Sequence, residues 1–435
     1  MIAIPFLTDL DSRAAVKGSR DPLGIQSIWT RFGRHVVGNL STVSNSVRDF
    51  TIAILGHYFT EQVAEAVGPG TDLDTFLKWE QLAGYARSKI NHEGGFRGVE
   101  RVQQNLQEGS VALSASSRHQ ILSSQKLYGI WGLYTVPARS SGLLEGTPAR
   151  LTSPARDLVR EVYFPKLAEA GFREGKTIVD LLKKETVKLD TEAGGRRLLV
   201  AVAGLIEKRF TAREREFYRD YLLFGGPEDA TEGRQRQLVE LLESKLTGDK
   251  FPWSPGALRA LAREAEGEGE AWGSLANYLS RIALIETVLA PASVLFIHLL
   301  GCHDATVDEL AHRIRRGWGP KMTTVDMGKV LELKAELADG DDDAGKRWLD
   351  IASTMAEGQY QDLIGLLVSQ NRVVMQIRGA AGAWIEIQHG RLHVRLPEER
   401  GDLPKRQALP NLWRFPYFLD SLYAVAFALK EDRHG

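Results

Sequence analysis

The stretch Ile282–Cys302, IALIETVLAPASVLFIHLLGC, constrains the fold more than any other part of the chain. It is almost continuously apolar and nearly long enough to cross a bilayer. It also carries Glu286, Pro291 and His298 and has no aromatic belt, so it is expected as two buried helices joined at Pro291 rather than a membrane span. A chain of 435 residues around such an element has material for two or three domains. Its 26% charged and 43% hydrophobic residues are the mix of a soluble protein with no membrane partner. The single cysteine, Cys302, excludes a disulfide framework and a Cys-based zinc module, and it suits a reducing cytoplasm. The opening MIAIPFLTDLDSR has too short an apolar run, and too early an acid, for a signal peptide.

Helix punctuation dominates the rest. Ser153-Pro154 and Ser254-Pro255 each offer an N-cap followed by proline at the first helical position. Thr211 with Glu214, and Thr306 with Glu309, have capping-box spacing. Strand signals are few. In AWIEIQHGRLHVRL, Ile385, Ile387, Leu392, Val394 and Leu396 alternate around His389-Gly390, which predicts a hairpin. The expected fold class is therefore mainly α: a multi-domain helical protein with a winged-helix-like segment and a small C-terminal β-hairpin element. Breaks near Glu169–Gly175 and in the acidic run Ala338–Gly345 divide it into an N-terminal helical domain over residues 1–172, a central helical domain over 173–338, and an α+β domain over 345–435 with its hairpin at 383–396.

The winged-helix-like segment spans about 116–163. SRHQILSSQKLYGIWGLY predicts two helices around a short turn, SSGLLEGTPARLTS two short strands about Gly146-Thr147-Pro148, and SPARDLVREVYF a closing helix. Arg118, Lys126, Arg139, Arg150, Arg156 and Arg160 give residues 116–160 a local charge of +4, although the whole chain carries only −1. These six are the candidate nucleic-acid-binding residues, since cations on a wing and helix pair with backbone phosphates. Arg31, Arg34, His35 and Arg48, beside Ser41, Thr42, Ser44 and Ser46, could line a second phosphate-binding face. Caps and surface charges beside a core helix account for them better.

Other motifs carry less. His298, Cys302, His303, Asp308 and His312 are the densest metal-type cluster, with two pairs at helical i, i+4 spacing, but Thr306…Glu309 explains the local chemistry as a helix start. Gly171-Phe-Arg-Glu-Gly175-Lys176-Thr177 has the look of a phosphate loop. It is one residue short between its glycines and follows a helix instead of a strand. Arg87 with His92 matches a loose helical-ribonuclease spacing, and Asp326 with Glu332 and Lys334 a loose nuclease set. No motif fixes a catalytic residue, a metal site or a cofactor, so none of these is assigned.

Leu23-Gly24-Ile25, Gly38-x-x-Ser41-Thr42 and Arg48-x-Phe50 ahead of an apolar helix resemble an uncharacterised bacterial family met in anti-phage defence gene clusters. Tyr128-Gly129-Ile130-Trp131-Gly132 is similar to its aromatic–glycine stretch. Asn371-Arg372, the hairpin through Trp384 and Gly390, and Trp413-Arg414-x-x-Tyr417-Phe418-Leu419 resemble its C-terminal end. The resemblance covers about a third of the chain. The resemblance implies a defence subunit whose partners are a helicase-type ATPase or a nuclease; with the +4 winged-helix-like segment and the lack of a catalytic motif, the expectation is a non-catalytic scaffold that contacts double-stranded DNA. A divergent metal-dependent hydrolase using His298, His303, Asp308 and His312 is the alternative, as is a pure protein-interaction subunit docking through Trp413–Leu419.

Overall fold

A computed structural model describes residues 21–248, 250–338, 342–380, 382–397 and 401–430. The chain divides into two compact units, and neither is a continuous stretch: one comprises Met1–Val36 with Pro252–Tyr417, the other Val37–Phe251 with Phe418–Gly435. The expected break at Glu169–Gly175 falls inside the second unit, and that at Ala338–Gly345 inside the first. At the latter, residues 339–341 lie outside the described residues, and the helices Lys334–Ala338 and Asp342–Glu357 pack on each other across them.

The first unit is built on one long helix. Gly273–Leu300 runs without interruption through Pro291, where a pair of helices was expected. Proline removes one backbone donor and crowds the carbonyl four residues earlier, at a cost of about 3 kcal/mol. Burial of Ile282, Ile285, Val288, Leu289, Leu295, Phe296 and Leu299 outweighs that cost, at roughly 2 kcal/mol per side chain. By length and composition this is the one helix among the described residues that could cross a membrane, and 78% of its most apolar window is buried inside the protein. Pro255–Gly267 packs along it, opened by Ser254, whose hydroxyl accepts from the Ala257 amide at 3.0 Å. Val307–Trp318 begins with the expected Thr306/Glu309 capping box. The hairpin forms as predicted: Ile385–Gln388 pairs with Arg391–Val394, and Gln388 faces Arg391 across His389 and Gly390. Both turn residues have positive φ, 50° and 74°, the twist that two-residue hairpins need.

In the second unit, Val47–Val67 is buried along most of its length and packs against Asp72–Lys89. Trp79 joins the two by donating its indole N–H to the Ile52 carbonyl at 2.9 Å. Ser110–Ser114 pairs antiparallel with Thr186–Asp190, and Leu144–Glu145 with Arg150–Leu151. The helix Leu419–Leu429 completes this unit, burying Leu419, Leu422, Tyr423, Val425 and Leu429. The fold class is mainly α.

Candidate functional site

The basic segment shows what its sequence could not: which cations already have partners. Of the helix–turn–helix expected from Ser116, the second helix forms as Ile130–Ser140, whereas the first is a single turn, Gln125–Tyr128. Side chains replace the missing helical bonds. Gln125 is fully buried; its amide donates to the Leu77 carbonyl and to Glu80 Oε2, both at 2.9 Å, and accepts from Gln81 at 3.1 Å. Glu80 Oε1 then accepts from the Ile130 amide at 2.8 Å, capping the second helix. Burial pushes the Glu80 carboxyl up to about 7 although these bonds pull it down. Gly129 is tied to this site: a Cβ there would stand 2.4 Å from the Gln125 carbonyl and 2.6 Å from Glu80 Oε1.

The two strands around Gly146–Pro148 and the helix from Ser153 form where expected. Its cap is Thr152, one residue earlier than predicted. Three of the six candidate cations have a carboxylate within ion-pair reach, two of them closely. Arg150 pairs with Asp72 at 2.9 Å and Arg156 with Glu61 at 2.9 Å. Arg160 lies 3.9 Å from Asp157. Glu61 also accepts from the Leu151 amide at 2.6 Å, so Arg156 neutralises a carboxylate that pins the strand. Arg118 and Lys126 are exposed and Arg139 half-buried, and among the described residues none of the three has an ion-pair partner. Leu127, Tyr128 and Val136 stand out on the same two helical pieces, 59%, 51% and 68% exposed.

Beside them His57 is buried on Trp131 and Phe76, with ring centroids at 5.2 and 5.1 Å. Burial holds its imidazole down at about 4, and the charges of Arg139 and Arg150 push the same way, so it is neutral at pH 7.

The remaining sequence candidates take structural roles. Arg48 is buried: Nη1 meets Glu214 Oε1 at 2.5 Å, while Nε and Nη2 donate to the carbonyls of Glu207 and Arg209 at 2.6 and 2.7 Å. Tyr163 and Tyr218 complete that network through Glu214 and Thr51. Arg31, Arg34 and His35 belong to the other unit, where His35 stacks on Tyr278 at 4.3 Å, so no shared phosphate face with Arg48 is described. Arg87 is held by Asp49 and Glu93 at 2.6 and 2.8 Å. Of Gly171–Thr177, the first five residues join the helices Phe164–Glu169 and Lys176–Leu182, and Lys176 and Thr177 open the second.

The metal-type cluster is dispersed. His298 Nδ1 lies 2.7 Å from the Gly401 carbonyl, and the Cys302 thiol donates to the His298 carbonyl. His303 Nδ1 accepts from the Val394 amide at 3.1 Å, Asp308 accepts from Gln361, and His312 is exposed. Among the described residues no group of three or more His, Cys, Asp or Glu side chains could hold a metal ion.

Sequence reasoning passed over the acid at the centre of the first unit. Glu286 accepts from the amides of Arg414 and Phe415 at 2.5 and 3.2 Å, and from the Tyr417 hydroxyl at 2.6 Å. Burial raises its carboxyl to about 8. It fastens Trp413–Tyr417 to the long helix, and Tyr417–Leu419, expected as part of an exposed dock, are buried. Asn371, also fully buried, links the Pro22 carbonyl to the Trp384 amide, each at 2.9 Å. No family model, no curated protein and no solved structure matches this chain.

Proposed function

We propose that the protein is a non-catalytic scaffold subunit of a bacterial anti-phage defence assembly in the cytoplasm, contacting duplex DNA through Arg118, Lys126 and Arg139. The observation that carries the DNA contact is that these three cations have no acidic partner among the described residues, in a segment where Arg150 and Arg156 are held in close ion pairs. The winged-helix-like reading of 116–163 is narrowed accordingly: Arg150 and Arg156 hold the strands to the helices beneath, and the outward cations touch phosphate. The assembly, and an ATPase or nuclease as partner, rest on the sequence resemblance alone.

Fluorescence anisotropy of a labelled duplex across a salt series tests the reading. Three phosphate contacts give a slope of about −2.7 in log affinity against log salt, at about 0.9 per contact. Replacing Arg118, Lys126 and Arg139 together by Glu should abolish that binding. Equal affinity of wild type and variant sinks the assignment.

A second reading follows from the exposed Leu127, Tyr128 and Val136, which make the same surface suitable for a protein subunit. It predicts no DNA affinity at any salt. Leu127→Asp with Val136→Asp would then release the product of a neighbouring gene from a co-purified complex.

A further inference from the structure

In the second unit, Ser110–Ser114 and Thr186–Asp190 run antiparallel, with Ser110 opposite Asp190 and Ser114 opposite Thr186. Just beyond the pair, the Thr191 amide donates to the Gly109 carbonyl at 3.0 Å. Bonded and non-bonded pairs alternate along an antiparallel ladder, so Val187 and Leu189 are the residues that bond across this one. Thr186, Lys188 and Asp190 turn their N–H and C=O groups outward, as do Ser110, Ala112 and Ser114 on the other strand.

The two edges are treated differently. Beside Ser110–Ser114, the Gln81 side chain acts as a neighbouring strand would. Its nitrogen donates to the Ser114 carbonyl and its oxygen accepts from the Ser114 amide, both at 2.9 Å. The helices Asp72–Lys89 and Val99–Leu106 also pack on that strand. On the other strand, the Asp190 carbonyl is taken by the Gly195 amide at 2.8 Å. Thr186 and Lys188 have no outward backbone hydrogen bond among the described residues, and both are exposed. Val187 and Leu189 are buried, so the strand is anchored while its edge presents two donors and two acceptors. Such an edge is a template for one more strand.

We propose that this edge pairs with the same edge of a second copy of the chain, antiparallel about Val187, to build a four-stranded sheet across a twofold axis. Thr186 of each copy then exchanges both backbone bonds with Lys188 of the other. Those four hydrogen bonds use every group that the two residues leave open. Charge selects this register. A lysine on an edge ordinarily guards against pairing, and like charges directly opposite repel. Sliding the second copy by two residues in either direction sets its Lys184 or its Lys188 against Lys188. About Val187, Lys188 faces Thr186 instead, and Lys184 falls opposite Asp190. Asp190 receives the Glu192 and Ala193 amides on Oδ1, which leaves Oδ2 for that lysine. Neither Lys184 nor Lys188 has an ion-pair partner among the described residues. The DNA reading plays no part in this, since none of its cations lies on the strand.

Sedimentation velocity of the full chain from about 5 to about 500 µM tests the pairing. Wild type is expected to pass from one chain to two across that range, because a single strand pair is a small interface and associates weakly. Lys188→Pro deletes an outward N–H and no ladder donor, so it should stay folded by circular dichroism and remain a monomer. Thr186→Glu would face Lys188 of the second copy and should tighten association severalfold, whereas Thr186→Lys should weaken it severalfold. These two decide the register however well the strand tolerates proline. A monomer at every concentration overturns the inference. So does self-association that folded Lys188→Pro leaves intact, or that the two Thr186 substitutions do not shift in opposite directions.

Discussion

Replacing Glu286 by Gln should change how stability depends on pH more than it changes stability itself. The folded protein holds this carboxyl at about 8, against an ordinary 4.5, because burial penalises its charged form. A carboxyl raised in the folded state keeps its proton there while the unfolded chain ionises. Its contribution is therefore complete below about pH 4.5 and is lost as pH rises through about 8. At 1.36 kcal/mol per pH unit the span amounts to about 5 kcal/mol, of which roughly 3 to 4 falls between about pH 5 and pH 8. Glutamine cannot ionise. Its amide oxygen can still accept from the Arg414 and Phe415 amides, whereas the Tyr417 hydroxyl loses its acceptor, at about 1 kcal/mol. The variant should be slightly less stable than wild type near pH 5 and more stable near pH 8, so the two curves cross. Urea unfolding followed by tryptophan fluorescence can read this, since Trp413 lies 5.3 Å from Tyr417. Glu80, raised to about 7, adds a slope of the same sign in the second unit and is untouched by the substitution. Parallel loss of stability in both proteins from pH 5 to pH 8 would refute the argument.

Glu214→Ala leaves the Arg48 guanidinium buried without its carboxylate and should cost about 3–5 kcal/mol by denaturant unfolding. Gly129→Ala drives a Cβ into the Gln125 carbonyl and Glu80, so a melting-temperature loss equivalent to about 1–3 kcal/mol is expected; an unchanged melt would mean the junction relaxes freely. Thr306→Ala removes one half of a capping box on an exposed helix start and should cost about 1 kcal/mol, with Thr306→Ser largely restoring it.

What the sequence made legible was chemistry closed within a few residues. Ser254-Pro255, both capping boxes and the His389-Gly390 turn form as expected because each satisfies backbone groups close by in the chain. Continuity through Pro291 was not legible, because it is decided by the packing around the helix and not by the proline. The first helix of the expected helix–turn–helix is reduced to one turn, where Gln125 bonds with Glu80 and Gln81 on a helix far away in sequence. The basic segment was legible as charge but not as a surface. Asp72 and Glu61, which neutralise Arg150 and Arg156, lie 78 and 95 positions earlier. The YGIWG stretch has a local explanation as well: its first glycine is where the chain must pass Glu80.

The two units share the chain by alternation, and this governs how the protein can be made or cut. During synthesis the first unit cannot close until residues up to Tyr417 have emerged, and the second still lacks Leu419–Leu429 at that moment. A stop codon shortly after Tyr417 would strip a buried helix from the second unit instead of trimming a tail. No single cut in the chain yields either unit intact. Expressing one alone requires joining Val36 to Pro252, or Phe251 to Phe418.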